Sequence, residues 1–593
     1  MKFSLTLLFT GLLPFSNLFA GSATWNLNPT TSDWNTAANW TPATVPNGPF
    51  DVATFVSSNQ PAISLSADIE INEIIFNSGA PQFAIDSVST AILTISGAGI
   101  TNNSGITQQF VVDQNENGDS DGLRFTNNAT AGTNTMLIAM PGVTSDFGTG
   151  GAILFEDESS ADHSVIEVFG STTYAFREGE LTFLDNSTAG DAIISSLGVS
   201  GGYVGALNFV GASTAENATI NNGRSGRFGG FFFFRNTATA GTSEITNHGY
   251  IVFVDSASLD QATITNVPGA TNGIYTGLVE FSLTSTAGSG TIINQGGAAV
   301  GTNGAITNLI DQSTGGSATL IAEAGTNGGG GGLITFGGTS DGGNVRVEVF
   351  GNGSLDISPR ALPGTTLGSL EGDGLVLLGA NALTIGSNNL STSFSGVISD
   401  SGLGSLVKAG NGKLTLSGAN TYTGGTTIDG GTLYVANRSS SSTGSGAVQV
   451  NAGKLGGTGR IAGAVTIGDG HAPEAYLTPG VAASRPATLT ILNTVTFQAD
   501  GTLHFGYKSN GAGDRVVARG VTIQSGAELF FGPIDTGTIT VGTIFTVINN
   551  TAATQINGTF SNLPDGGTIT VGNNTFQANY EGGDGNDLTL TVQ

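Results

Sequence analysis

From Phe125 onward one eight-residue unit returns nine times: FTNNATAG from Phe125, FEDESSAD from Phe155, FLDNSTAG from Phe183, FVGASTAE from Phe209, FRNTATAG from Phe234, FVDSASLD from Phe253, FSLTSTAG from Phe281, LIDQSTGG from Leu309 and FGGTSDGG from Phe336. The spacings are 30, 28, 26, 25, 19, 28, 28 and 27 residues, and eight of the nine units begin with Phe. A unit of about 26 residues cannot bury its own apolar face, so successive units must stack on one another. Between the markers the chain alternates small-apolar and polar residues, as in ATINNG from Ala218 and GTIINQGG from Gly290. That period of two belongs to strands. Outside the first twenty residues nothing offers a sustained helical period, and Gly, Asn, Asp and Ser punctuate the strands. The economical solution is an all-β, elongated parallel β-solenoid with one unit per coil.

Stacked coils place equivalent positions about 4.7 to 4.9 Å apart, so each register becomes a ladder along the axis. The Phe register predicts an interior aromatic stack. The third position reads Asn127, Asp157, Asp185, Gly211, Asn236, Asp255, Leu283, Asp311 and Gly338. These predict a broken Asn/Asp ladder at a turn, because such residues tolerate left-handed backbone and bond their own chain.

Composition removes several classes of function. The 593 residues carry 17 Lys and Arg against 44 Asp and Glu, a formal net charge of −27. Such a balance repels phosphate backbones, so nucleic acid is excluded as a partner. Cys is absent, which excludes disulfides, thiolate nucleophiles and Cys-ligated metals. The four His residues, His163, His248, His471 and His504, are too far apart to pair as ligands on one element, which argues against a zinc enzyme.

The opening MKFSLTLLFTGLLPFSNLFA has Lys2, an apolar run, and then small residues from Ala20 to Ala23, the pattern of a secretory signal. Pro14, Ser16 and Asn17 break the run before it could span a bilayer, and no later segment has 18 uninterrupted apolar residues. The expectation is an exported chain, secreted or at the cell surface, without a transmembrane segment after processing.

LVKAGNGKLTLSGANTYTGGTTIDGGTLYVAN, from Leu406 to Asn437, matches K-x-G-x-G-K-L-T-L-S-G-x-N-T-Y-T-G-G-T-T-I followed by G-G-T-L-Y-V. This stretch resembles the autotransporter-associated β-strand repeat of secreted bacterial passenger proteins. The mature start, ATWNLNPTTSDWNTAANWTPATVPNGP from Ala23, is similar to the beginning of proteins of this group. The resemblance implies a right-handed parallel β-helix, with Tyr422 beside a turn, and implies no catalytic residue. Such proteins end in a membrane barrel, whereas this chain ends GGDGNDLTLTVQ, so a passenger type without the barrel is expected. The domain expectation is a signal at 1–20, an N-terminal cap and first coils at 21–100, the repeat solenoid at 101–393, the autotransporter-associated repeat at 394–437, and a C-terminal solenoid region with an end cap at 438–593.

Apparent chemical motifs are few. GTSDG, Gly338 to Gly342, fits G-x-S-x-G, yet Ser340 occupies a repeat register rather than a strand-turn-helix elbow. DQNENGDSDG offers Asp113, Asn115, Asn117, Asp119 and Asp121 at alternate positions with Gly118 sixth, resembling the first half of a Ca²⁺ loop. The twelfth place holds Arg124 in place of a bidentate Glu, so any Ca²⁺ would bind weakly, and no other cofactor is expected. GGDGND, Gly582 to Asp587, is a single copy of a pattern that binds Ca²⁺ in tandem, and is expected to be a simple turn. Trp25, Trp34 and Trp40 suit either a sugar-stacking platform or a cap on the first open coil, and the cap is expected. The clusters Glu156, Asp157, Glu158, Asp162 and Asp119, Asp121 could serve polysaccharide cleavage, but without a cation cluster they are expected to be solvated surface. No catalytic residue is therefore assigned. The favoured function is a non-enzymatic extracellular scaffold, surface component or adhesin, with extracellular polysaccharide or other envelope proteins as partners. The alternative is a secreted polysaccharide-active β-helix of lyase or glycosidase type.

Overall fold

A computed structural model describes residues 21–593 except 90, 116–121, 143–149, 173–177, 199–201, 225–228, 270–275, 472–473 and 481–484. The signal expected at 1–20 lies outside the described residues. Among those described there is no α-helix, only the short 3-10 turn Ala37–Asn39. Among the described residues no helix is long and apolar enough to cross a membrane.

The chain winds into stacked parallel coils. On the first face the strands Leu123–Phe125, Ala152–Phe155, Glu180–Phe183, Ala206–Phe209, Phe231–Phe234, Tyr250–Phe253, Leu278–Phe281, Ile306–Leu309 and Leu333–Phe336 carry the nine unit markers. They pair parallel with the markers opposite one another, Phe125 on Phe155, Phe155 on Phe183 and so on to Leu309 on Phe336. The second face is an unbroken parallel ladder of twenty strands from Ala62–Ser64 to Glu528–Pro533. At about 4.8 Å per step that ladder is about 90 Å long.

Seven aromatic rings from Phe125 to Phe281 stack face on face inside the first wall. Neighbouring centroids lie 4.6 to 5.0 Å apart and the planes differ by 2° to 15°. The strand spacing itself sets that ring distance. Each of these Phe residues is at most 1% exposed, as are Leu309 and Phe336, which continue the column.

After each marker the chain makes two tight turns around a single outward residue. Third-position residues, Asn127 through Gly338, all adopt left-handed backbone, with φ from 53° to 77°. Their carboxylates and amides also link coils: Asp157 accepts the N–H of Asn127 at 2.9 Å, Asp255 that of Asn236 at 3.0 Å, and Asp311 that of Leu283 at 3.1 Å. Leu283 therefore sits at φ 54° because its neighbours impose it, against its own preference. A second left-handed ladder occupies the eighth position, from Gly132 to Gly343, with φ from 46° to 69°. Between the two turns, Thr130, Ser160, Thr188, Thr214, Thr239, Ser258, Thr286 and Thr314 form a line of single parallel bridges. The hydroxyls of Ser160, Thr188, Thr214, Ser258, Thr286 and Thr314 accept the N–H two residues on, as Thr188 does from Gly190 at 3.0 Å.

In four consecutive units the length from marker to second-face strand end is constant: Phe209 to Asn222, Phe234 to Asn247, Phe253 to Asn266 and Phe281 to Asn294 are each thirteen residues apart. The irregular spacing of the units therefore arises at one edge, where the chain returns to the first face. In the 19-residue unit only His248 and Gly249 make that return. At the same corner Asn222, Asn247, Asn266 and Asn294 are fully buried, and the side-chain amides of the first three each donate to the side-chain carbonyl of the next at 2.8 to 2.9 Å. Stacked in a low-dielectric interior, the inner amides satisfy one another, while the Asn222 side-chain carbonyl and the Asn294 amide nitrogen at the two ends have no partner among the described residues.

From Gly364–Leu367 the line of single bridges gives way to a third face of eight strands ending at Val521–Ile523. The C-terminal end is a further seven-stranded sheet in which Ile544–Asn550, Asp587–Val592, Asn574–Gly582 and Thr568–Val571 pair antiparallel. At the other end Trp25, Trp34 and Trp40 are at most 1% exposed and pack on Phe55, with indole N–H groups bonded to the carbonyls of Gln60, Pro46 and Trp34. The indoles fill the first coil and cannot stack on a ligand.

Candidate functional site

The residues singled out from the sequence do not converge. Asp113 and Asn115 lie on the strand Gln108–Asn115, while Asn117, Asp119 and Asp121 are outside the described residues. Among the described residues no three His, Asp or Glu side chains are grouped to hold a metal ion. Ser340 is fully buried at the register of Ser159, Ser213 and Ser313, whose hydroxyls point into the coil. A nucleophile there would meet no substrate. Glu156 lies 3.5 Å from Arg124 in an ion pair, and Asp162 lies 3.5 Å from His163 at the surface. GGDGND forms the hairpin between the last two strands, and Asp587 accepts the N–H of Asn550 at 2.9 Å.

A cleft that the sequence reading missed opens on the outer side of the second face in the C-terminal coils. Pairing places Thr432 beside Lys454, Lys454 beside Tyr476, Tyr476 beside Thr502, and Thr502 beside Glu528. Two residues along the strands, His504 lies beside Phe530. Alternation explains the outward display, because Leu455, Leu477, Leu503 and Leu529 on the same strands point inward and are buried. The Lys454 ammonium is 5.7 Å from the Tyr476 ring centroid, and the His504 and Phe530 rings stack at 4.4 Å and 21°. Tyr476 donates its hydroxyl proton to the Glu474 carboxylate. That bond, followed by burial, raises the phenol's pKa above its ordinary value. Burial and the charge of Lys454 lower the pKa of His504, which favours the neutral imidazole.

The cleft has a volume of about 480 Å³ and is also lined by Asn562, whose amide is committed to both backbone groups of Leu529. Lys454 and His504 also border an adjoining hollow of about 270 Å³, floored by Gly456, Gly480, Gly506 and Gly532. There the Thr478 hydroxyl is buried without a partner. Exposed rings beside a cation, carboxylates and a free hydroxyl can hold a polar ring-shaped ligand by stacking and hydrogen bonding.

Asp514, 6% exposed, closes the hollow and accepts the N–H groups of Ala487 at 2.7 Å and Gly506 at 2.9 Å. Burial outweighs both bonds and pushes its carboxyl up to about 7. With the folded pKa above the unfolded one, the associated stability is fully present below about pH 4 and disappears as pH rises through about 7. We expect on the order of 2 kcal/mol to be lost from the C-terminal coils between pH 5 and pH 8, read by denaturant unfolding. Asp514→Asn should flatten that loss, and an unchanged pH profile would contradict the assignment.

Known proteins bear on this geometry. Residues 406–435 match the passenger-associated-transport-repeat family. They comprise the strands Lys413–Leu416, Thr426–Ile428 and Thr432–Val435, with most of Ser405–Lys408, and Tyr422 is fully buried with its hydroxyl bonded to Thr426 at 2.7 Å. Over 199 residues the chain is 31% identical to the adhesin BmaC autotransporter of Brucella suis biovar 1 (strain 1330), a match spanning 32% of this chain and 5% of that protein. The structure of the Haemophilus influenzae Hap adhesin aligns with 91% of this chain and 64% of its own at 11% identity and a TM-score of 0.31, a similarity that carries no argument. The chain is therefore a parallel β-solenoid that carries a passenger-associated-transport repeat of the autotransporter-associated type in the coils from Leu406 to Val435.

Proposed function

We propose that the protein is an exported, non-enzymatic, adhesin-like β-solenoid whose outer surface contacts extracellular polysaccharide or other envelope components, with the Lys454–Tyr476–His504–Phe530 cleft as one contact point. The observation that carries this reading is the ladder of twenty strands, a rigid support about 90 Å long that holds outward side chains at fixed intervals. Stiffness of that kind serves display and reach. The passenger-associated-transport repeat supports the same reading, as does the partial match to a protein named as an autotransporter adhesin. The interior position of Ser340 puts the hydroxyl of the GTSDG stretch out of a substrate's reach.

The test is fractionation of cells producing the tagged chain, followed by a turnover screen of the purified protein on acidic and neutral polysaccharides with and without Ca²⁺. The expected result is protein in the medium or the envelope and no turnover. A cytoplasmic protein, or polysaccharide cleavage abolished by Asp157→Asn, would overturn the proposal.

A further inference from the structure

Basic residues are unevenly placed. Nine of the 17 Lys and Arg, but only five of the 44 Asp and Glu, lie between Lys408 and Arg519. That stretch is net positive in a chain whose total is −27. Within it a second cleft of about 360 Å³, separate from the aromatic one, is lined by Arg438, Thr458, Arg460, Thr488 and Thr490. Arg460 donates its backbone N–H to Asn437 at 2.8 Å, so Arg438 and Arg460 stand on consecutive coils. Thr490 lies beside Arg460 on the next coil. Strand alternation turns Arg460, Thr488 and Thr490 outward, since Ile461, Leu489 and Ile491 are buried, and Arg438 is exposed. Among the described residues neither Arg438 nor Arg460 has a carboxylate partner within ion-pairing distance.

Two unpaired guanidiniums that share a cleft with three threonines suit an anionic group, which guanidinium binds through paired, charge-assisted hydrogen bonds. The spacing of the coils, about 4.8 Å, is close to the length of one pyranose residue in an extended glycan. A repeating polyanion can thus present its charges and hydroxyls to successive coils. We propose that the Arg438–Arg460 cleft binds an acidic polysaccharide, one bearing carboxylate or sulfate groups.

This inference rests on the adhesin-like reading and names its ligand class, but the two fail separately: an exported, catalytically silent protein that ignores acidic glycans sinks only the inference. The probes are polygalacturonate for carboxylate, heparin for sulfate, neutral dextran, and duplex DNA, each titrated against the full chain at low and high salt. At least one acidic glycan should bind, more weakly as salt screens the charges, with affinity falling about tenfold in Arg438→Gln/Arg460→Gln. Arg235→Gln, which removes a surface cation elsewhere, should bind as the parent does. Which glycan binds identifies the anionic group. Binding of neither acidic glycan, equal binding by the double variant with an unchanged circular dichroism spectrum, equal binding of dextran, or tighter binding of DNA would overturn the proposal.

Discussion

Truncation of Phe183, Phe209 or Phe281 to Ala is expected to destabilise the protein by about 3 to 5 kcal/mol at each position. Each ring is at most 1% exposed and is held between two flanking residues of the column. Phe183 stacks at 4.8 Å on Phe155 and at 4.6 Å on Phe209. The coils above and below cannot close the gap, because their separation is fixed by backbone pairing along the first face. A cavity would remain, and with it the loss of contact to both neighbours, which in a one-dimensional stack also weakens the coupling between coils. Outward Thr219→Ala and Thr263→Ala should change stability by less than about 0.5 kcal/mol. Denaturant unfolding decides the matter. Losses below about 0.5 kcal/mol at all three Phe positions would contradict the interior column.

Gly418→Ala should cost about 3 kcal/mol, for a different reason. This glycine lies inside the matched repeat, and a Cβ built on it would stand 1.7 Å from the carbonyl oxygen of Gly396 on the coil before. A Cβ on Gly396 would in turn stand 1.9 Å from the carbonyl of Gly374. Three successive coils thus approach backbone to backbone, and no side chain can yield to make room. Gly402 is the control, since a Cβ there meets nothing within 4 Å. Gly402→Ala should be neutral within about 0.5 kcal/mol. Equal effects at the two glycines would show that chain flexibility, and not coil approach, explains the glycine content of the repeat.

Much of the solenoid was legible because its markers are unambiguous. A bulky ring at one register can only stack inside, and Asn or Asp two residues later favours the left-handed turn that the backbone adopts there. Leu283 shows the limit of that reading, since its own preference opposes the φ of 54° that pairing with Asp311 and the neighbouring coils imposes. The buried amide ladder escaped notice because Asn222, Asn247, Asn266 and Asn294 close strands, where an asparagine reads as a turn residue. Both clefts escaped for a further reason. In the C-terminal coils the inward positions are interchangeable aliphatics such as Leu455, Leu477 and Leu503, so no marker residue aligns one coil with the next. Without that register Lys454 cannot be placed beside Tyr476, nor Arg460 beside Thr490. The charge asymmetry of this stretch was countable, but only the fold turns it into a site.

Adhesion of beads coated with the purified chain is the most direct measure of whether this rod presents a binding surface. Beads carrying the folded protein should be retained on surfaces bearing extracellular polysaccharide well above bare beads, and retention should vanish when the coils are unfolded or when the aromatic and arginine clefts are altered together by Tyr476→Ala, Phe530→Ala, Arg438→Gln and Arg460→Gln. Retention of the folded protein no greater than that of bare beads, across acidic and neutral polysaccharide surfaces, would contradict it.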